Sequence, residues 1–170
     1  MSSKTRFNRA YKNAPRVPFN DLSKFVLFSD CHRGDNSFAD DFANNRNIYY
    51  HALKNYYDNG FTYCELGDGD ELWENIDFKS IFEAHKNVYE LLQLFFNENR
   101  LYRVLGNHDM VYKSKRYVEK NLSSYFDKVT GKDVPLFPGV KFTEGIVLKH
   151  TETDQELFLL HGHQADFMNY

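Results

Sequence analysis

Four short clusters in this sequence carry side chains that could do chemistry together: Asp30-Cys-His32, Gly67-Asp68, Gly106-Asn-His-Asp109 and His161. Carboxylate, imidazole and amide oxygen suit first-row divalent ions of intermediate hardness, such as manganese, iron or zinc, while no thiolates cluster as a structural zinc knot requires. A dinuclear arrangement is expected, with Asp30 and His32 on one ion, Asn107 and His161 on the other, and the carboxylate of Asp68 bridging them. Asp30 and His32 are two residues apart, so on an extended segment both side chains point the same way and reach one ion. Two ions about 3.5–4 Å apart can share a hydroxide and clamp a phosphoryl group for in-line displacement, which is phosphoester hydrolysis. His108, beside a ligand but held off the ions, is the expected general acid, with Asp109 fixing its tautomer. Arg33, Lys113, Lys115 and Arg116 are candidates for neutralising a substrate phosphate.

Each cluster ends an apolar run, and those runs must position it. Lys24 to Ser29, Phe61 to Leu66 and Leu101 to Leu105 read as strands, each running into a polar loop with a turn glycine. Between them, apolar residues from Phe38 to Tyr57 and from Ile81 to Phe95 recur at steps of three and four, which predicts amphipathic helices. From Asp30 to Asp68 to Asn107 the steps are 38 and 39 residues. Strand, loop and helix in such alternation predict an α/β fold with a parallel sheet, whose loops meet at the carboxyl ends of the strands. Farther on, Tyr112 to Phe126 reads as a basic helical stretch. Phe142 to Lys149 and Glu156 to Leu160 read as a β-hairpin that delivers His161.

The whole-chain properties bound the partners. One compact domain is expected from 170 residues of which 42% are apolar and 17% aromatic. A formal charge of −3 argues against a general nucleic-acid binder, which needs a basic excess. No apolar run approaches a membrane span, and two cysteines without CxxC spacing point to a reducing cytoplasm. Residues 1–20 carry Lys4, Arg6, Arg9, Lys12 and Arg16 without one acid and are expected to form a flexible basic arm, with the domain over 21–170. Cys31 is given no catalytic role, Trp73 is read as packing, and His51, His85 and His150 as structural. Taken singly, the clusters have plain readings as turns, and Asp70, Glu71 and Glu74 as a solvated acidic face. Their succession at four strand ends favours the metal reading.

Together these motifs resemble those of the calcineurin-like metallophosphoesterases, whose signature runs Asp-x-His, Gly-Asp, Gly-Asn-His-Asp/Glu, a His after an apolar strand, and Gly-His-x-His. The first three stand here as Asp30-Cys-His32, Gly67-Asp68 and Gly106-Asn-His-Asp109. The fourth looks like His161, closing Leu157-Phe-Leu-Leu160. Gly67-Asp-x-x-Glu-Leu-Trp73 also resembles the Gly-Asp-x-x-Asp-Leu-Trp of the branch containing the UDP-diacylglucosamine hydrolases, and the Gly-Asp-Tyr-Val-Asp-Arg-Gly of protein Ser/Thr phosphatases is absent. The resemblance extends over about residues 24–166. It implies part of an α/β sandwich with metal ligands at the C-terminal ends of successive strands. It also implies two divalent ions, manganese favoured, and a small-molecule phosphomonoester, phosphodiester or pyrophosphate as substrate. One motif departs: Gly162-His163-Gln164-Ala165 lacks the second histidine of Gly-His-x-His. Either the motif lies beyond Tyr170 in a longer protein, making this a domain truncated at its C-terminus, or His163 stands in for part of it. The alternative function is a metal-binding or inactive scaffold of the same fold, or an incomplete fragment without activity.

Overall fold

Strand Thr62–Leu66 alternates its side chains between two different interiors, and that alternation explains how the layers are arranged. In this computed structural model, which describes residues 2–75 and 77–165, Tyr63 joins a large core under the helices. Cys64 and Leu66 face the opposite way, into a smaller core shared with a second sheet.

In chain order the elements are α1 (Ser3–Asn13), β1 (Arg16–Phe19), β2 (Phe25–Phe28), α2 (Arg46–Asp58), β3 (Thr62–Leu66), α3 (Phe78–Ala84) and α4 (Lys86–Asn97). They continue with β4 (Leu101–Val104), α5 (Lys115–Leu122), β5 (Ser124–Asp127), β6 (Lys132–Pro135), β7 (Phe142–Thr143), β8 (Ile146–His150) and β9 (Glu156–Leu159). A four-stranded sheet, β2-β3-β4-β7, is parallel throughout. A second sheet runs β1-β8-β9, with β1 parallel and β9 antiparallel to β8. The protein is therefore a mixed α/β fold with mostly parallel sheets, and β8–β9 is the expected hairpin. Val17, Cys64, Val104, Ile146 and Leu148 fill the space between the sheets. Leu53, Ile81, Val88, Leu92 and Phe95 pack helices onto the other face of the four-stranded sheet. No helix among the described residues is long and apolar enough to cross a membrane.

Several expectations need correction. The stretch expected as a basic arm over residues 1–20 holds α1 (Ser3–Asn13) and β1 (Arg16–Phe19) instead. Ala10, Ala14 and Val17 are buried, and β1 pairs with β8 from Arg16↔Val147 to Phe19↔His150. The basic side chains that suggested an arm include Arg16, whose guanidinium caps α1 by donating to the carbonyl oxygens of Ala14 at 2.8 Å and Tyr11 at 3.0 Å. The helix expected from Phe38 begins only at Arg46. Upstream of it, Asp40 accepts the backbone N–H groups of Asn36, Phe42 and Ala43, a local turn that competes with helix. Phe38, counted on the buried stripe, is fully exposed.

The stripe from Ile81 to Phe95 is two helices, broken at His85, whose buried ring bonds Asp40 at 2.7 Å. The basic stretch 112–126 ends as a helix at Leu122 and enters the β5–β6 hairpin. The run 142–149 is split between sheets, β7 beside β4 and β8 beside β1. Gly145 sits at the crossing, where an added Cβ would lie 2.7 Å from the Phe158 ring.

Under the helices, the four-stranded sheet buries charge. Arg33 reaches Glu65 at 2.7 Å and Asp70 at 2.8 Å, while Arg103 reaches Glu65 at 2.6 Å and Asp70 at 2.9 Å. All four side chains are sealed from solvent. Tyr63 donates to Glu65 at 3.0 Å, Tyr89 to Asp70 at 2.6 Å, and Tyr112 also donates to Asp70. Burial alone would raise both carboxyl pKa values, but the two guanidiniums outweigh it and hold Asp70 and Glu65 below the ordinary carboxylate range.

Removing one member leaves the others unpaired in a dry interior. Arg103→Met is therefore expected to cost about 3–5 kcal/mol in urea denaturation followed by circular dichroism. The exposed substitution Phe38→Ser should stay within about 0.5 kcal/mol of the parent. A loss below about 1 kcal/mol for Arg103→Met would mean the lattice does not anchor the fold.

Candidate metal centre

The loops after β2, β3 and β4 leave the same edge of the sheet and continue to pair beyond it. The N–H groups of Asp30, His32 and Arg33 donate to the carbonyl oxygens of Gly67, Asp68 and Gly69 at 3.1, 2.9 and 3.0 Å. The backbone carrying the candidate ligands is left-handed: φ is 55° at Asp30, 47° at His32 and 51° at Asp68. Residues other than glycine take this conformation only at a cost, and such positions concentrate at functional sites. The extended geometry expected for Asp30-Cys-His32 is thus absent. Both side chains nevertheless converge, His32 Nε2 lying 3.9 Å from Asp30 Oδ1. Cys31 between them packs against the helical core, where burial pushes its thiol pKa up to about 12.

Asp68 occupies the middle. Its Oδ2 lies 3.1 Å from His161 Nε2 and 3.8 Å from His32 Nε2, and its Oδ1 accepts the His108 N–H at 2.9 Å. Burial would raise the Asp68 pKa, but hydrogen bonds from His161 and the His108 backbone outweigh it and hold the carboxyl low. This approach requires Gly106, since a Cβ there would stand 1.9 Å from Asp68 Oδ1.

Asn107 joins through Oδ1, 3.1 Å from His161 Nε2. His161 Nδ1 lies 2.9 Å from the carbonyl oxygen of Leu66, which makes Nδ1–H the donor and leaves Nε2 facing two oxygens, Asp68 Oδ2 and Asn107 Oδ1. Two acceptors around one ring nitrogen ask for a positive charge. The imidazole meets the demand by holding its proton more tightly, chiefly through Asp68, and a cation could meet it instead.

All five expected ligands therefore meet around Asp68, but not in the expected pairs: Asp30 falls with His161, and His32 with His108. Two overlapping sets, Asp30–Asp68–His161 and His32–Asp68–His108, keep their donor atoms within 4.8 Å of one another, and Asp68 belongs to both. The donor chemistry fits divalent first-row ions. His163 belongs to neither set. It is buried, with Nε2 3.8 Å from Glu144 Oε2. Asp166 lies outside the described residues.

Two assignments change. The Asp109 carboxylate does not bond the His108 ring. It is buried between loops, accepting Gly106 N–H at 2.7 Å and Gly69 N–H at 3.0 Å, and burial pushes its pKa up to about 7. The residue that orients His108 is Glu71. Its Oε2 lies 2.7 Å from His108 Nδ1 and 2.8 Å from His32 Nδ1, so one carboxylate oxygen holds both rings and turns both Nε2 atoms away from itself. Trp73 stacks on His108 with centroids 3.9 Å apart. The spacing Asp68-x-x-Glu71 was the available signal, masked by reading the acidic run as solvated. Arg33 is sealed in the interior and cannot meet a phosphate, while Lys113 pairs with Glu144 at 2.7 Å.

Isothermal titration with Mn²⁺ checks this geometry. Glu71→Ala should weaken binding about 10- to 100-fold, as expected when the partner orienting a ligating imidazole is lost. Asp68→Ala should abolish saturable binding. Parent-like titrations from both variants would show that the cluster holds no ion. No family model matches the sequence, and neither any curated protein nor any solved structure does, so the chemistry of this site rests on its own side chains.

Proposed function

We propose that this chain carries the metal-binding and catalytic residues of a calcineurin-like metallophosphoesterase, hydrolysing a phosphomonoester, phosphodiester or pyrophosphate. The observation that carries the reading is the position of Asp68, with Oδ2 3.1 Å from His161 and 3.8 Å from His32, where one carboxylate can serve two ion positions. Order and type of residue agree with the family signature from Asp30 to His161. The paired sheets with a core between them are compatible with its sandwich. Two divalent ions, manganese favoured, would be held by Asp30, His32, Asp68, Asn107 and His161, with Asp68 common to both donor sets. When bound, such a pair supplies a reactive water near neutral pH and charge to balance the phosphoryl oxygens.

The protein's own contribution is positioning and proton supply. Glu71 fixes His108 through Nδ1, so Nε2 is the atom free to hand a proton to the departing oxygen. Asp109 fastens the third loop to the second, keeping His108 and Asn107 in place. Arg33 and Arg103 act one layer below, through Asp70 and Glu65. The second reading, a metal-binding scaffold without turnover, draws on one observation: His163, in the Gly162-His163-Gln164-Ala165 stretch, belongs to neither donor set although its ring lies 5.6 Å from that of His161.

With Mn²⁺ and 4-nitrophenyl phosphate, turnover is expected from the parent and none from Asp68→Ala. His108→Asn should lower kcat about 10²- to 10⁴-fold while leaving Mn²⁺ stoichiometry unchanged in titration. Loss of metal in His108→Asn would make it a ligand. Metal binding without turnover by the parent would favour the scaffold.

A further inference from the structure

Three neighbours surround the imidazole of His108. Glu71 Oε2 holds Nδ1 at 2.7 Å, the His32 ring stands perpendicular with centroids 4.5 Å apart, and the Trp73 indole lies across one face, 3.9 Å away and tilted by 27°. The first two leave one freedom. A hydrogen bond fixes the position of an atom but tolerates a range of directions, so with Nδ1 held, the far side of the ring can still tilt. A perpendicular ring does not define the imidazole plane as a parallel face does. The indole supplies that face.

Core packing does not account for where Trp73 stands. Its side chain is 58% exposed, while the preceding residue, Leu72, packs against the helical core. Glu71 places the indole as well. Its Oε1 accepts the Trp73 N–H at 3.1 Å and the Glu74 N–H at 3.4 Å, and the Asn75 side-chain amide closes the turn by donating to the Glu71 carbonyl oxygen at 2.6 Å. One carboxylate thus sets both partners of the stack, the imidazole through Oε2 and the backbone that bears the indole through Oε1. We propose that Trp73 is a positioning residue for the proton donor: its indole fixes the plane of His108 and so the direction in which Nε2 presents its proton. The inference rests on the hydrolase reading given above. The P–O bond to the leaving group breaks with its electron pair on oxygen, and that oxygen takes the proton from Nε2. Water forms the new P–O bond, and the proton it loses restores His108 over the cycle. Misplacing a reacting group by about 1 Å costs up to about 100-fold in rate, so releasing a tilt should cost less, about tenfold.

Trp73→Leu keeps an apolar side chain without a flat face, and because most of the indole is exposed the variant is expected to fold as the parent does. With Mn²⁺ and 4-nitrophenyl phosphate, its kcat should fall about tenfold with KM and Mn²⁺ stoichiometry unchanged, and Trp73→Phe should recover most of the loss. The loss should be greater for phenyl phosphate, whose departing oxygen is the stronger base and depends more on the acid. In the His108→Asn background, Trp73→Leu should cost nothing further, because the group it positions is gone. Trp73 is the only tryptophan in the chain, so His108→Asn is also expected to change the emission of the metal-free protein, a readout that needs no turnover. A parent-like kcat in Trp73→Leu, equal losses on the two substrates, a full further loss in the His108→Asn background or an unchanged emission would each overturn the proposal while the hydrolase reading stands. Mn²⁺ bound by the parent with neither ester hydrolysed would overturn that reading and the proposal with it.

Discussion

Two arginines and two carboxylates, all sealed from solvent, lie between the parallel sheet and its helices, and the loops after β2, β3 and β4 are tied to them. Arg33 follows His32 directly; Asp70 stands two residues after Asp68; Arg103 belongs to the strand that delivers Asn107; Glu65 belongs to the strand that delivers Asp68. Each guanidinium contacts both carboxylates, so the four charges form a closed ring rather than two separate pairs. Such a group is costly to bury and gains little over an apolar core. What it gains is geometry. A guanidinium fork bonded to two carboxylates fixes direction as well as distance, and it does so immediately beneath loops whose own backbone is unfavourable.

That unfavourable backbone is the second half of the arrangement. Left-handed conformations at Asp30, His32 and Asp68 bring the three side chains toward one point, and Asp109 with the inter-loop backbone bonds offsets part of the cost. Glu71 works at the next level by ordering two imidazoles with a single oxygen. The site is therefore held from below by charge, from within by backbone pairing and from the side by a shared carboxylate. None of these devices depends on loop rigidity alone.

Much of this was legible in sequence, because the ligand types are rare in combination and the strands that bear them are continuous apolar runs. Asp30, His32, Asp68, Asn107 and His161 are found close together, though not in the expected pairs, and the parallel pairing of β2, β3 and β4 follows from strand and helix alternation. The failures have a common cause: side chains whose partners are distant in the chain. Arg33 and Asp70 look like surface charge until Glu65 and Arg103 are placed beside them. Asp109 sits next to His108 in sequence yet bonds Gly69. Residues 1–20 look like a solvated arm because their strand partner is β8. Where local chemistry overrode periodicity, as at Asp40 ahead of α2, the turn-forming residue was visible but its three backbone bonds were not.

The pairing of β1 with β8 has a consequence for how the protein reaches this structure. Arg16 meets Val147, and Ser3 Oγ donates to Ala165 O at 3.3 Å, so the second sheet joins stretches far apart in the sequence. Long-range parallel pairing is slow to form because loop closure must precede any reward from the contact. On the ribosome, β2 and β3 emerge early enough to associate while β1 still waits for its neighbour. Until β8 and β9 arrive, the apolar back of the nascent parallel sheet, with Cys64 and Val104, stands open to water and to other chains.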